Sequence, residues 1–260
     1  MLFKSDTTVR YRLGVSMLLL LALAACHSDK PANNTVSLQQ PGVKYTVYEG
    51  ETGRRKSVLL ADSTVVILNS ASVLQVPENY GKGGRAVILD GDAFFRVKPG
   101  TDSFSVTTDK LVATVLGTSF KMRSFSSQQG ATVYLLTGKI RVGKSYHSAT
   151  DNQPEILERG HMILANKEID LMEKETYHPE ELEAWVSDTL RIKDATPMAL
   201  SRTLEEWFGI EVDIRGDASK ARTITEAVFF NAPLEDVLSN LSAQQDFKYK
   251  IDRNKVVLTF

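Results

Sequence analysis

The chain has 260 residues, 42% of them hydrophobic, and a formal net charge of −1. That length holds one large or two ordinary domains around a real core. The near-neutral charge excludes the basic excess that nucleic-acid binding needs, and bulk charge gives no support to a polyanion or membrane-surface role.

The chain opens with a positively charged segment, residues 1–12, which carries Lys4, Arg10 and Arg12 against Asp6. An apolar run over residues 13–25 follows. It is shorter than the roughly 20 residues a membrane-crossing helix needs and suits the apolar core of an export signal. It ends Leu23-Ala24-Ala25-Cys26, small residues before the chain's only cysteine. This box resembles that of bacterial lipoproteins, in which the leader is cut before the cysteine and the thiol then carries lipid. The resemblance implies that Cys26 is lipidated, with residues 1–25 as signal peptide. A single cysteine also rules out an intramolecular disulfide.

Residues 26–50 read as a polar tether with a short strand over residues 43–48. From residue 51 to 168, short β-branched or alternating runs recur with turn signals between them. They predict strands over residues 56–60, 64–68, 85–89, 93–97, 104–107, 111–115, 120–123, 132–136, 139–142 and 162–165. Strands at this spacing, with almost no helical period, predict an all-β sandwich or barrel-like lobe.

Within that lobe the most distinctive stretch is residues 91–125. It reads Gly91-Asp92-Ala93-Phe94-Phe95, then a half-buried alternation from Ser103 to Thr107, then Leu116-Gly117-Thr118-Ser119-Phe120. This order resembles the periplasmic domain of FecR-type regulators. The resemblance extends to Asp62, Asn69 and Gly138. It departs at Ser63, where the family usually has Gly, and at Arg159, where Pro is usual; Asp92 stands where Glu is commoner. It implies a structural role for Asp62, Asn69, Gly91, Asp92, Phe94, Phe95, Leu116, Gly117, Thr118, Phe120 and Gly138.

Residues 138–145, GKIRVGKS, satisfy the phosphate-loop pattern G-x-x-x-x-G-K-S. That chemistry needs a strand before the first glycine and a helix after the serine, whose amides hold the phosphates. Here the interior alternates like a strand and a polar loop follows, so a hairpin is expected. Lys144 is expected to matter neither for nucleotide binding nor for folding.

Residues 169–188 turn acidic and predict a protease-accessible linker with a short helix beginning at Pro179 and with Trp185 at a lobe junction. Beyond it the period changes. Residues 189–260 predict a small α+β module in the order β-α-β-β-α-β-β, with Leu204, Trp207, Leu238 and Leu241 in its core. This pattern resembles the short N-terminal module of secretins and TonB-dependent transporters, which FecR-type regulators carry at their C-terminus. The whole chain is thus expected to be mainly β.

The four histidines, His27, His147, His161 and His178, have no ligand-like spacing, and no nucleophile–base pair stands out. Neither an enzyme, a metal nor a cofactor is expected. The resemblance implies a periplasmic, lipid-anchored signal-relay protein that binds the signalling domain of a TonB-dependent outer-membrane transporter. Residues 1–12 are too few for a domain that grips a sigma factor. Its effect on such a factor is therefore expected to be indirect: it either passes its signal to a separate membrane-spanning anti-sigma protein or competes with a full-length regulator for the transporter. The alternative is a lipoprotein that binds a glycan on its β-lobe, with Tyr80, Tyr134 and Tyr146 as stacking surfaces.

Overall fold

The computed structural model describes residues 38–260. The leader, the Leu23-Ala24-Ala25 box and Cys26 lie outside the described residues. The first lobe is built from β1 (Tyr45–Glu49), β2 (Lys56–Leu59), β3 (Val65–Leu68), β4 (Val73–Pro77), β5 (Arg85–Arg96), β6 (Phe104–Thr107) and β7 (Leu111–Val115). It continues with β8 (Ser119–Ser124), β9 (Gly130–Thr137), β10 (Ile140–Lys144), β11 (Glu155–Leu157), β12 (His161–Asn166) and β13 (Leu171–Thr176). Pairing runs without interruption through all 13 strands.

The sequence predicts separate strands over residues 85–89 and 93–97; the structure has one strand of 12 residues, β5. Asp90-Gly91-Asp92 looks like a turn, yet Gly91 acts as a corner within the strand. Its φ of 143° is open to glycine alone, and a Cβ there would lie 2.5 Å from the Ser72 Cα. Before the corner β5 pairs with β4 and β6; after it, with β3 and β8. Two sheet faces therefore share β5 and close over a common core. Phe95 stacks on Phe120 at 5.0 Å and lies 5.9 Å from Phe104 at its centre. All three rings are fully buried, each contributing about 1.5–3 kcal/mol of apolar burial.

Past the corner, β5 is buried on both faces. Ala93 and Phe95 point into the core, while Asp92 and Phe94 point outward, as the period of two requires. What covers that outer face is the segment expected as a linker. β13 pairs along its whole length with β12, and α1 (Pro179–Val186) packs Leu182 and Trp185 onto Phe94 and Leu136. Pro179 stands at the start of α1, as its fixed φ favours. Residues 169–188 are thus a strand and a docked helix.

The C-terminal module follows as β14 (Thr189–Ala195), α2 (Pro197–Phe208), β15 (Glu211–Arg215), β16 (Ile224–Phe230), α3 (Leu234–Gln245), β17 (Lys248–Asp252) and β18 (Lys255–Thr259). This is the order the sequence predicts. Antiparallel β14 and β16 form a two-stranded ribbon; β15 runs parallel to β18, which pairs with β17. Thr196 caps α2 by accepting from the Ala199 amide at 3.3 Å, and Gly209 ends it in the left-handed conformation. Leu200, Leu204, Phe208, Leu238 and Leu241 fill a core separate from that of the first lobe. Trp207, expected in that core, is half-buried and packs both against it and against the cluster on the first lobe.

Candidate functional site: the lobe junction

The outer face of β5, β8 and β9 is where the two lobes meet. Strand register places Asp92 opposite Arg123, Phe94 opposite Lys121, and Lys121 opposite Tyr134. Alternation then sends Phe120 and Met122 inward and Lys121 and Arg123 outward, onto the face that carries Asp92. Asp92 is 0% exposed. Its Oδ2 accepts from Asn69 Nδ2 at 2.9 Å and lies 3.2 Å from Lys121 Nζ and 3.9 Å from Arg123 Nη1.

A third cation enters from the loop before β2. The Arg55 guanidinium lies 3.8 Å from the centre of the Trp185 ring and 4.5 Å from that of Trp207. Its Nη1 donates to the Trp185 carbonyl and, at 2.9 Å, to Asp188 Oδ1. Lys121 Nζ lies 4.5 Å from the centre of the Trp185 ring. Each such contact between a cation and an indole face is favourable, by about 0.5–2 kcal/mol. The chain's only two tryptophans thus both stand in this junction.

The junction also gathers the end of α2. The Trp207 carbonyl accepts from Asn69 Nδ2 at 3.1 Å and from Trp185 Nε1 at 3.2 Å. The negative end of a helix dipole therefore faces the cation cluster. Beside it, the Leu234 amide donates to the Gly53 carbonyl at 3.1 Å.

Burial governs the electrostatics. It pulls Arg55 down to about 10, against the opposing pull of Asp188 and Asp92. It also lowers Lys121, with Asp92 again opposing. Both effects are the cost of holding charge away from water. Three buried atoms here, Arg55 Nη2, Arg123 Nη1 and Asp92 Oδ1, have no hydrogen-bond partner in the protein.

The family-motif residues fall into four places. Asn69, Asp92 and Phe94 build the junction, and Gly91 positions it. Phe95 and Phe120 fill the core, while Asp62 accepts from Arg85 Nε at 2.7 Å beneath the turn before β3. Leu116, Gly117 and Thr118 line a shallow apolar groove of about 410 Å³ with Ile140 and Ile156. Gly138 makes the turn beside Thr118.

Arg55, Lys121, Arg123 and Asp188 are junction residues that sequence reasoning missed. Lys121 and Arg123 carried a signal, since two cations alternate there with core residues. Arg55 and Asp188 carried none.

The phosphate-loop pattern is a strand: residues 140–144 are β10, which forms an antiparallel pair with β11, the next element, where a phosphate loop would have a helix. Lys144 is nonetheless bound, contrary to the sequence expectation. Its Nζ donates to Asp170 Oδ1 at 2.8 Å and to Ser148 Oγ at 2.8 Å. The three tyrosines proposed as a glycan platform are occupied separately. Tyr80 is buried, Tyr134 meets the edge of Tyr177 at 5.1 Å, and the Tyr146 hydroxyl donates to Asp170 at 3.1 Å. Among the described residues no cluster of His, Cys, Asp and Glu could hold a metal ion.

This two-lobed, mainly β architecture, with Asn69, Asp92 and Phe94 at the joint, is a regulator-type architecture, and the family comparison agrees. Residues 46–141 match the family described as FecR protein, and residues 190–258 match FecR, C-terminal. The chain belongs to the FecR family. Its fold is similar to that of a candidate anti-sigma factor from Parabacteroides distasonis ATCC 8503, solved at 1.65 Å resolution. That likeness has a TM-score of 0.58 at 24% identity, over 82% of this chain and 98% of that one. A second structure with the same description, at 2.50 Å, gives 0.58 and 24% over 83% and 99%. No curated protein sequence matches the chain.

Proposed function

We propose that this chain is a signal-relay protein of the periplasm, lipid-anchored through Cys26, and that it works by binding rather than by catalysis. Its partner in this reading is the signalling domain of a TonB-dependent outer-membrane transporter. The influence on a sigma factor is indirect, through a separate membrane-spanning anti-sigma protein. Membership of the FecR family supports the class of role.

The observation that carries the binding reading is the β14–β16 ribbon. Among the described residues, each of its strands pairs only with the other, so each has an outer edge open to a further strand. Its outward face carries Phe230, 74% exposed, and Val228, 48% exposed, beside Arg191 and the cross-strand pair Lys193 and Glu226. An apolar ribbon with open edges suits an added strand that carries apolar side chains.

The test is binding of purified transporter signalling domain, measured by calorimetry against wild type and Phe230→Asp. Loss of binding in the variant, with its fold intact by circular dichroism, supports the ribbon. Equal affinity of the two proteins rejects it.

A further inference from the structure

The two lobes have separate cores, joined by a small cluster of Phe94, Leu136, Leu182 and Trp185. Much of the polar contact between them converges on two points, the Arg55 guanidinium and the Trp207 carbonyl. We propose that this junction is a latch: Arg55 holds the C-terminal module shut on the β-lobe, and its release lets the module swing about Ser187 and Asp188.

Three observations carry this. First, the closed junction holds a penalty that opening relieves. Arg55 Nη2, Arg123 Nη1 and Asp92 Oδ1 are buried without a hydrogen-bond partner in the protein, so the closed state holds polar atoms away from solvent. Two cations, Lys121 and Arg123, also crowd the fully buried Asp92 carboxylate, while Arg55 beside them pairs with the partly exposed Asp188.

Second, the chain crosses between the lobes at the point Arg55 grips. Asp188 is separated from the end of α1 by Ser187 alone, stands immediately before β14, and has a left-handed φ of 57°. A single residue in that conformation is a natural pivot for rigid bodies on either side.

Third, Arg55 and its neighbours hold both ends of one structural unit. Asp188 leads into β14, and β14 leads through Thr196 into α2, which ends at the Trp207 carbonyl. The Asp188 carbonyl also accepts from the Asn231 amide at 2.9 Å, next to Phe230 at the end of β16. A force on the β14–β16 ribbon is therefore felt at the residue the latch holds. That last step rests on the docking reading above; the latch itself does not, and it is tested without any partner.

Because both tryptophans lie in the junction, their emission reports its state. Full-length wild type is compared with Arg55→Gln and Gly53→Ala by emission maximum, acrylamide quenching and far-ultraviolet circular dichroism. Gly53→Ala keeps the Arg55 side chain but wedges the joint, since a Cβ there would lie 2.6 Å from the Leu234 Cβ, at a backbone φ of 69° that already strains alanine. Losing Arg55's charged hydrogen bond shifts the closed-to-open ratio by about 10- to 100-fold. Both variants are expected to emit further to the red and to quench severalfold more readily, with their dichroism unchanged. Two results would overturn the latch: wild-type emission and quenching in a folded Arg55→Gln or a folded Gly53→Ala, or loss of dichroism in step with the emission change in both variants. If Arg55→Gln alone fails to fold, Gly53→Ala decides.

Discussion

Asn69 and Trp207 are 138 residues apart in the chain, yet the Asn69 amide donates to the Trp207 carbonyl at 3.1 Å. The same amide nitrogen donates to Asp92, and the Asn69 Oδ1 accepts from the Ser70 amide at 3.0 Å. One side chain thus couples a motif carboxylate of the first lobe to a helix end of the second. Asn69→Ala is expected to destabilise the protein by about 2–3 kcal/mol, because it strips a donor from a buried charge. Asn69→Asp should cost more, since it sets a second carboxylate against Asp92. Urea titration followed by tryptophan emission measures both. A loss within experimental error for Asn69→Ala would mean the contact is incidental.

Much of the fold was legible because it is local. Period-two alternation marks β6 to β10, and the change to helical spacing marks α2 and α3, each opened near a proline. What escaped had weak or misleading local signals. β4 carries a buried Gln75 amid its apolar residues, β11 has only three residues, and β13 is an acidic edge strand. The corner at Gly91 mimicked a turn. The junction was the least legible part, since Arg55, Asn69, Lys121, Trp185 and Trp207 come from five separate segments. Only the register of β5, β8 and β9 brings their partners onto one face, and no short window of sequence contains that register.

Ser63 occupies the turn before β3 with a φ of 68°, in the left-handed region. Its amide donates to the Leu60 carbonyl at 2.9 Å, so the turn is tight. A residue with a Cβ is strained there by about 1–2 kcal/mol, part of which glycine would lose again through its freer unfolded chain. Ser63→Gly is expected to stabilise the protein by up to about 1 kcal/mol, read as a higher denaturation midpoint at unchanged slope. A lower midpoint would show that the serine side chain contributes something its position does not reveal.

Asp170 ties the loop over residues 145–152 to the β12–β13 turn. Its carboxylate takes hydrogen bonds from Lys144, Tyr146, Ser148 and Thr150. The donations from Lys144, then Ser148, hold it well below the usual aspartate range. A carboxyl held low in the folded state stabilises above the ordinary aspartate value, near 4, and that contribution fades as pH falls toward the folded value. Wild type is therefore expected to lose stability on acidification below about pH 4 more steeply than Asp170→Asn. Lys144→Ala should lower stability at neutral pH while leaving nucleotide affinity at background. Parallel pH–stability curves for wild type and Asp170→Asn would show that the carboxylate is not held by these bonds.

The boundary of the first lobe is open to a direct test through fragments. The sequence favours an end near residue 168, with proteolysis between residues 172 and 183. In the structure β13 hydrogen-bonds to β12, and α1 buries Leu182 and Trp185, each only 5% exposed, on the face of Phe94. Removing those two side chains forfeits roughly 3–6 kcal/mol of apolar burial, a large share of a domain's net stability. It also strips the cover from the aromatic face and unpairs the edge of β12, a template for aggregation. A fragment of residues 38–188 is expected to be soluble and to melt cooperatively, whereas residues 38–168 should aggregate or melt without a transition. Gel filtration and thermal melts of the two decide it. A monomeric 38–168 fragment as stable as the longer one would return α1 to the status of a linker.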